Sequence, residues 1–232
     1  MLDPLRQEIC EANLLLETSG LVKLTFGNVS GIDREKGIFG IKPSGVAYAD
    51  LTPEKIVLID LEGEVVEGDL RPSSDTRTHL KLYQSWQSIG GITHTHSVHA
   101  TMFAQAGRPL PCLGTTHADH FHGEVPICRA LDAQETLIDY EGYTGAAIVQ
   151  HFLHHGLDPV AMPAVLQKYH APFTWGKSAL DSVKNSIALE VCAEMAIGTF
   201  HLNPQATDLP SHIREKHHQR KHGSGAYYGQ SD

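Results

Sequence analysis

Three histidines have the types and spacing of metal ligands. His94 and His96 are separated by one residue in the segment GGITHTH, and His170 ends an apolar run. Alternate side chains of a β-strand point to one face, so a His-x-His pair directs two imidazoles to one point. A third imidazole from the end of another strand leaves an open fourth position, which is typical of catalytic zinc. The pattern predicts a catalytic divalent-metal site; the alternative is polar histidines on a solvated strand.

Three segments before the histidine pair have features of a phosphate site. The segment KPSG places a cation, a hydroxyl and a glycine turn after a predicted strand. The segment PSSD places two hydroxyls at the start of a predicted helix. Helix N-termini present unpaired N–H groups and a positive dipole end, which suit an anion. Ordinary turns and helix caps are the alternative, because serine and aspartate are also common caps. The residues are Gly27 and Asn28, Lys42 with Ser44 and Gly45, and Ser73 with Ser74.

Candidate acid–base groups cannot be chosen by spacing alone. Asp75, Asp119 and Glu141 offer carboxylates, and Asp119 lies in the polar segment TTHADH. Tyr227 and Tyr228 lie in a glycine-rich tail, where residues are commonly frayed. A tail with two tyrosines after a basic run can instead fold over a neighbouring site, and both interpretations stay open.

Composition limits the class of partner and the compartment. The chain has 232 residues and a formal net charge of −9, which disfavours nucleic acid and anionic membrane surfaces. No apolar stretch is long enough to span a bilayer, and the N-terminal residues do not resemble a secretion signal. The widely spaced cysteines form no CxxC motif, so we expect reduced thiols and a cytoplasmic protein.

The element pattern predicts one α/β domain over residues 1–232. Early strands are linked as hairpins, later strands alternate with helices, and no segment is typical of a linker. We expect a three-layer α/β/α fold with a central mixed, largely antiparallel sheet. Helices are predicted from residue 3 to a stop at 20 and over 75–86, 98–105, 144–155 and 179–199. Strands are predicted over 24–29, 38–42, 56–60, 91–96 and 163–170, with a strand leading into a loop over 110–119.

Seven segments give the chain a family resemblance that extends over nearly its whole length. They read LTFGNVS, IKPSGV, PSSDT, GGITHTHS, GTTHAD, FTWGK and RKHGSGAYYGQ. The chain resembles the L-ribulose-5-phosphate 4-epimerases of the class II aldolase group, which also contains fuculose phosphate aldolase. GNVS, KPSG and HTH are features of the whole group, whereas PSSDT, TTHAD and the AYYGQ tail are closer to the epimerases.

The resemblance implies a role for each matching residue. It implies Zn²⁺ or another divalent ion held by His94, His96 and His170, with Asp75 at or near the ion, and an acid–base pair formed by Asp119 and Tyr228. It also implies a homotetramer with sites at subunit interfaces, where the tail, about residues 209–232, reaches a neighbouring subunit. The expected substrate-binding residues are Gly27, Asn28, Lys42, Ser44, Gly45, Ser73, Ser74, Thr115, Glu141, His217 and Arg220.

The implied reaction explains why such groups are needed. The hydrogen on C4 of a 2-ketose is not α to the carbonyl, so abstraction of this proton gives no stabilised carbanion. Cleavage of C3–C4 leaves an enediolate that a chelating metal stabilises as a Lewis acid. The aldehyde fragment, glycolaldehyde phosphate, can rotate before the bond re-forms. Because the two epimers place the C4 hydroxyl on opposite sides, two acid–base groups are required.

Other functions are compatible with the same residues. An aldolase of the same fold would release both fragments, and the resemblance associates aldolases with Glu where this chain has Asp75. A non-catalytic metal or sugar-phosphate binding protein and a metal-dependent dehydratase are further alternatives. The chain departs from the epimerase pattern at His120 and His122, where tyrosine or phenylalanine is expected. The pathway, through L-arabinose, ascorbate or a related sugar, stays open.

Overall fold

An eight-stranded sheet forms the centre of the protein. The computed structural model describes residues 2–222 and residue 226. Strand order across the sheet is β4-β3-β2-β1-β5-β8-β7-β6, and every neighbouring pair is antiparallel except β6 and β7. The strands are β1 (Asn28–Asp33), β2 (Ile38–Ile41), β3 (Val57–Asp60), β4 (Val65–Glu67), β5 (Gly91–His94), β6 (Ile127–Cys128), β7 (Ala164–Gln167) and β8 (Pro172–Gly176).

Helices cover both faces of the sheet. Strand β3 shows the alternation: Val57 and Ile59 join one apolar core with α2 and α5, whereas Leu58 joins a second core with α1 and α6. No helix in the described part of the chain is long and apolar enough to cross a membrane. The helices are α1 (Asp3–Thr18), α2 (Thr76–Ser85), α3 (Val98–Ala106), α4 (Thr115–Ala118), α5 (Ala133–His155), α6 (Ala179–Leu202) and α7 (Ser211–His222). This architecture confirms the predicted three-layer fold.

Two predicted strands are wrong. The strand expected over 24–29 begins only at Asn28, because Leu24 has φ of 55° and Gly27 has φ of 75°, which are incompatible with extended backbone. The region 110–119 contains one isolated bridge, from Leu110 to Val125, followed by the short helix α4.

One helix is markedly longer than predicted, and strands β4, β6 and β8 and helix α7 were not predicted. Helix α5 begins at Ala133 rather than at residue 144, through a capping box between Asp132 and Glu135. Strand β8 follows β7 after a tight turn, and the basic tail segment forms helix α7.

The predicted strand 91–96 ends at His94, so His96 lies in the following loop.

Candidate active site

The three histidines among the predicted metal ligands come together where strand β5 ends. His94 is the last residue of β5, His96 lies two residues beyond it, and His170 lies in the turn between β7 and β8. Tyr169, with φ of 65°, turns the chain immediately before His170. The Nε2 atoms of His94 and His96 are 3.2 Å apart, and one ring nitrogen from each histidine falls within 4.8 Å of the others. Candidate ligands from two chain segments therefore converge, although only His94 is in a strand.

The electrostatic state of these rings fits a divalent metal. The Nδ1 atom of His94 is 3.0 Å from the carbonyl of Pro172, which can only accept, so the Nε2 lone pair faces the cluster. Burial, and then repulsion from His96, lowers the pKa of His94 to about 3. Burial, and then repulsion from His94, lowers the pKa of His170 to about 3. The His170 Nδ1 atom is buried without a hydrogen-bond partner in the described structure. Neutral, incompletely bonded imidazoles are the form in which histidine binds metal.

Asp75 lies beside this cluster without joining it. It lines the same cleft, but the group of mutually close ligand atoms in the described residues contains only the histidines. Its Oδ2 atom accepts a 2.6 Å hydrogen bond from the Asn28 amide, which is itself 3.1 Å from the Ser73 hydroxyl. The carboxylate is thus fixed beside the start of β1, in the cleft that the histidines also line.

The cleft in front of the histidines has a volume of about 370 Å³. It brings together most of the residues predicted to bind substrate or metal, and it also contains Thr25, Phe26, Pro43 and Tyr140, which sequence reasoning missed. The predicted residues that line it are Gly27, Asn28, Lys42, Ser44, Gly45, Ser73, Ser74, Asp75, His94, His96, Glu141 and His170.

Lys42 contributes a buried cation to the cleft. The residue is 2% exposed, and its ammonium lies 4.8 Å from the centre of the Tyr48 ring. Burial lowers the pKa of Lys42, and in the described part of the chain it forms an ion pair with no carboxylate. A buried charge is costly unless it is paired. An anionic ligand in the cleft would provide the missing partner.

Gly27 is required by the backbone next to His94. A Cβ atom there would lie 2.8 Å from the His94 carbonyl oxygen, and φ of 75° is itself unfavourable for other residues. The Tyr48 hydroxyl reaches the carbonyls of Phe26 and Gly27, at 2.9 and 3.0 Å, and holds this loop in place. The close approach accompanies the pairing of Asn28 with His94 between β1 and β5.

An interruption of α5 explains why Tyr140 and Glu141 reach the cleft. Asp139 has non-helical angles, its carboxylate accepts a hydrogen bond from the Gly142 amide, and it forms a 3.3 Å ion pair with Arg77. The Tyr140 ring lies 5.7 Å from that of His170. The sequence signal was the capping box 132–135, which places the helix start before both residues.

The remaining predicted residues form a second cluster, between α4 and α7. Asp119 follows α4 and accepts hydrogen bonds from Arg220 and His217, whereas Thr115 is exposed at the start of α4. Burial acts to raise the pKa of Asp119, but the bonds from Arg220 and His217 outweigh it, and the net pKa is lowered. None of these four described residues lines the cleft of its own chain. Tyr228 lies outside the described residues.

The two unusual histidines after Asp119 also face α7. His120 lies 3.4 Å from the Lys221 ammonium, and burial, followed by repulsion from Lys221, lowers its pKa to about 4. His122 is 3.1 Å from the carboxylate oxygens of Glu215. Within one chain these side chains belong to the second cluster and not to the wall of the cleft.

Three clustered histidines, a hydrogen-bonded carboxylate and a buried cation in one cleft are the features of an α/β protein that could hold a metal ion and an anionic ligand. The chain belongs to the class II aldolase and adducin N-terminal domain family, whose model matches residues 7–197.

Solved structures share the fold over almost the whole chain. An L-fuculose 1-phosphate aldolase is 26% identical with a TM-score of 0.79, covering 94% of this chain and 95% of its own. YgbL from Klebsiella pneumoniae is 21% identical with a TM-score of 0.72, covering 93% and 99%. The L-fuculose-1-phosphate aldolase from Thermus thermophilus is 22% identical with a TM-score of 0.66, covering 88% and 99%.

Proposed function

We propose that the protein is a metal-dependent epimerase that interconverts L-ribulose 5-phosphate and D-xylulose 5-phosphate. The observation that carries the proposal is the joint presence in one cleft of three clustered histidines and the buried Lys42, which pairs with no carboxylate among the described residues. A phosphorylated ketose offers oxygens for a metal and a phosphate for the cation. The reaction breaks the C3–C4 bond and re-forms it after the aldehyde fragment has turned.

The residues of the cleft provide binding and orientation. When bound by the three histidines, a divalent ion, proposed to be Zn²⁺, supplies Lewis-acid stabilisation of the negative charge that develops as C3–C4 breaks. Lys42, Ser44 and Ser73 are proposed to hold the phosphate, so that the aldehyde fragment turns without leaving. Asn28 and Asp75 are hydrogen-bonded to each other in the same cleft, and we propose that they orient the ketose hydroxyls.

Asp119 and Tyr228 are proposed as the acid–base pair. Arg220 and His217 favour the ionised form of Asp119, which can accept the proton of the C4 hydroxyl. Tyr228 would act on the opposite face, as inversion at C4 requires. Because Asp119 lies outside the cleft of its own chain, we propose a homotetramer in which α7 and the tail to residue 232 complete a neighbouring subunit's site.

An aldolase that releases both fragments is the second candidate. The observation in its favour is the 26% identity to an L-fuculose 1-phosphate aldolase over nearly the full chain. The short carboxylate of Asp75, which is bonded to Asn28, favours the epimerase, since a longer side chain at this place could extend further as a proton shuttle.

One incubation separates the candidates. Metal-loaded protein is supplied with L-ribulose 5-phosphate, and D-xylulose 5-phosphate, dihydroxyacetone and glycolaldehyde phosphate are quantified. Epimer without free fragments is the expected result, whereas accumulating fragments indicate the aldolase. A protein that binds Zn²⁺ and sugar phosphate without turnover would be a binding protein, and the proposal would be wrong.

The proposed setting is the cytoplasm, in L-arabinose or related pentose metabolism. All four cysteines, Cys10, Cys112, Cys128 and Cys192, are free and buried, which agrees with a reducing compartment.

A further inference from the structure

Glu190 of α6 binds the N-terminus of α3. Its Oε1 atom accepts hydrogen bonds from the backbone N–H of His99 at 2.9 Å and from His99 Nδ1 at 2.8 Å. Its Oε2 atom accepts from the backbone N–H of Ala100 at 3.0 Å. Burial acts to raise the pKa of Glu190, but these bonds, with one from the Ser97 side chain, outweigh it and lower the net pKa. A negative charge at a helix N-terminus compensates the unpaired N–H groups and the helix dipole.

Glu190 follows two other polar residues, Ser182 and Ser186, at a spacing of four along α6. The Ser182 hydroxyl lies 2.7 Å from that of Thr93, and the Ser186 hydroxyl lies 2.8 Å from that of Thr174. Residues four apart share one helix face. This face of α6 therefore contacts Thr93, the residue before His94. It also contacts Thr174 of the paired strand β8 and the start of α3, which follows His96.

His96 depends on its backbone for its position more than His94 does. The His94 ring is oriented by the Pro172 carbonyl. By contrast, the only hydrogen-bond contact of the His96 ring with another described residue is the one to His94. His96 is exposed, lies outside β5, and is followed directly by the segment 97–100 that Glu190 holds. The segment directly after His96 is thus held by Glu190 of α6.

We propose that Glu190 is a positioning residue that sets the approach of His96 to the bound metal. The inference rests on the proposed metal-dependent function and deepens it, because it assigns a role in the metal site to a residue of α6. Groups that orient metal ligands typically change metal affinity by about 10–100-fold when they are replaced.

Co²⁺ binding tests this role directly. Glu190→Gln keeps the size of the side chain but removes its charge and one of the two acceptor oxygens. Glu194→Gln is the matched control, since it makes the same change one turn later on the same helix at an exposed position. For each protein, the Co²⁺ Kd is measured by chelator competition, the visible spectrum of bound Co²⁺ is recorded, and the Tm of the metal-free protein is determined.

We expect Glu190→Gln to weaken Co²⁺ binding by about 10–100-fold and to change the Co²⁺ spectrum, with kcat lowered more than KM is raised. Glu194→Gln should match the wild type. An unchanged Kd and spectrum in Glu190→Gln overturns the proposal, even if its Tm falls, because the residue would then only stabilise α3. If Glu190→Gln does not fold, Glu190→Asp is measured instead, and the same criteria apply to its shortened carboxylate.

Failure of the proposed function is distinguishable from failure of this role. A wild type that binds Co²⁺ but neither epimerises nor cleaves the sugar phosphate rejects the function alone, since the affinity comparison still decides the role of Glu190. A wild type that does not bind Co²⁺ overturns both.

Discussion

Arg220 donates two hydrogen bonds to the carboxylate of Asp119, one from Nε at 2.8 Å and a second from Nη2 to the other oxygen. This forked pair connects α7 to the end of α4, and it is among the stronger hydrogen-bonded arrangements in proteins. It fixes the orientation of the proposed base and favours its ionised form. The basic tail segment, which the sequence left without a predicted element, therefore has a defined electrostatic partner.

Removing Arg220 should raise the pKa of Asp119, because burial then acts against ionisation with less compensation. The carboxyl carbon shift of Asp119 in Arg220→Met, followed by NMR against pH, measures the change. Arg214→Met is the control, since Arg214 contacts Glu215 on the same helix. An unshifted Asp119 titration in Arg220→Met would contradict the assignment.

The same pair makes stability depend on pH in a defined direction. A carboxyl whose folded-state pKa is lowered stabilises the protein above its unfolded pKa, and this contribution is lost as pH falls through the folded pKa. The wild type should exceed Arg220→Met in free energy of unfolding by about 1–2 kcal/mol at neutral pH, after screening of partly exposed groups. The difference should vanish in acid once Asp119 is protonated, as urea unfolding at several pH values would show.

Replacing either proposed acid–base group should lower the rate and leave the metal in place. We expect Asp119→Asn and Tyr228→Phe each to reduce kcat by about 10²–10⁴-fold, the usual contribution of such groups. Metal content is measured alongside by atomic absorption. Full activity in either variant removes that residue from the proposed mechanism.

Mixed subunits test whether Asp119 acts across an interface. His94→Ala lacks a metal ligand, Asp119→Asn lacks the proposed base, and each alone should be inactive. Co-expressed at equal amounts, they should form some sites with both groups intact, and about a quarter of the wild-type activity should return. If activity does not return although hetero-oligomers are recovered, Asp119 acts within its own chain.

Lys42→Met should weaken the binding of a phosphorylated substrate without lowering the stability of the protein. The substitution removes a buried cation that lacks an ion-pair partner in the described structure, so we expect Tm to be unchanged or higher. Affinity for a phosphorylated substrate should fall by about 10–100-fold, the equivalent of one hydrogen bond to a charged group. Lys184→Met, at an exposed position of α6, is the control. An equal loss of affinity for unphosphorylated L-ribulose would exclude a phosphate role for Lys42.

Gly91→Ala should destabilise the protein through backbone contacts. A Cβ at Gly91 would lie 2.4 Å from backbone atoms of Ser178 and Ala179 at the start of α6. We expect the free energy of unfolding to fall by about 1–3 kcal/mol or more, as for overpacked cores. A Cβ at Gly114 would have no neighbouring atom within 4 Å, so Gly114→Ala should change the free energy of unfolding by less than about 0.5 kcal/mol. Equal stabilities in urea unfolding would contradict the predicted clash.

Sequence patterns within short segments predicted the three-layer fold and most of the residues that line the cleft. The alternating strands and the segments around Asn28, Lys42 and Ser73 are continuous in sequence, so their chemistry is visible before folding. The metal-ligand cluster was predicted by spacing, but its geometry differs, since His96 and His170 lie in turns rather than in strands.

Other features depend on contacts distant in sequence. Glu190 is 91 residues from His99, and Arg220 is 101 residues from Asp119, so no local pattern pairs them. Tyr140 was missed because the predicted helix began too late, although the capping box marks its true start. Tertiary packing, not propensity, decides these positions.

The hydrogen bond from His94 Nδ1 ends on a main-chain oxygen, that of Pro172. Every amino acid carries such a carbonyl, so no substitution at position 172 deletes the acceptor. The tautomer of His94 therefore depends on the pairing of β5 with β8 and not on the identity of a neighbouring side chain. Substitutions of the side chains around the three histidines can therefore alter the cleft without removing the acceptor that orients the His94 imidazole.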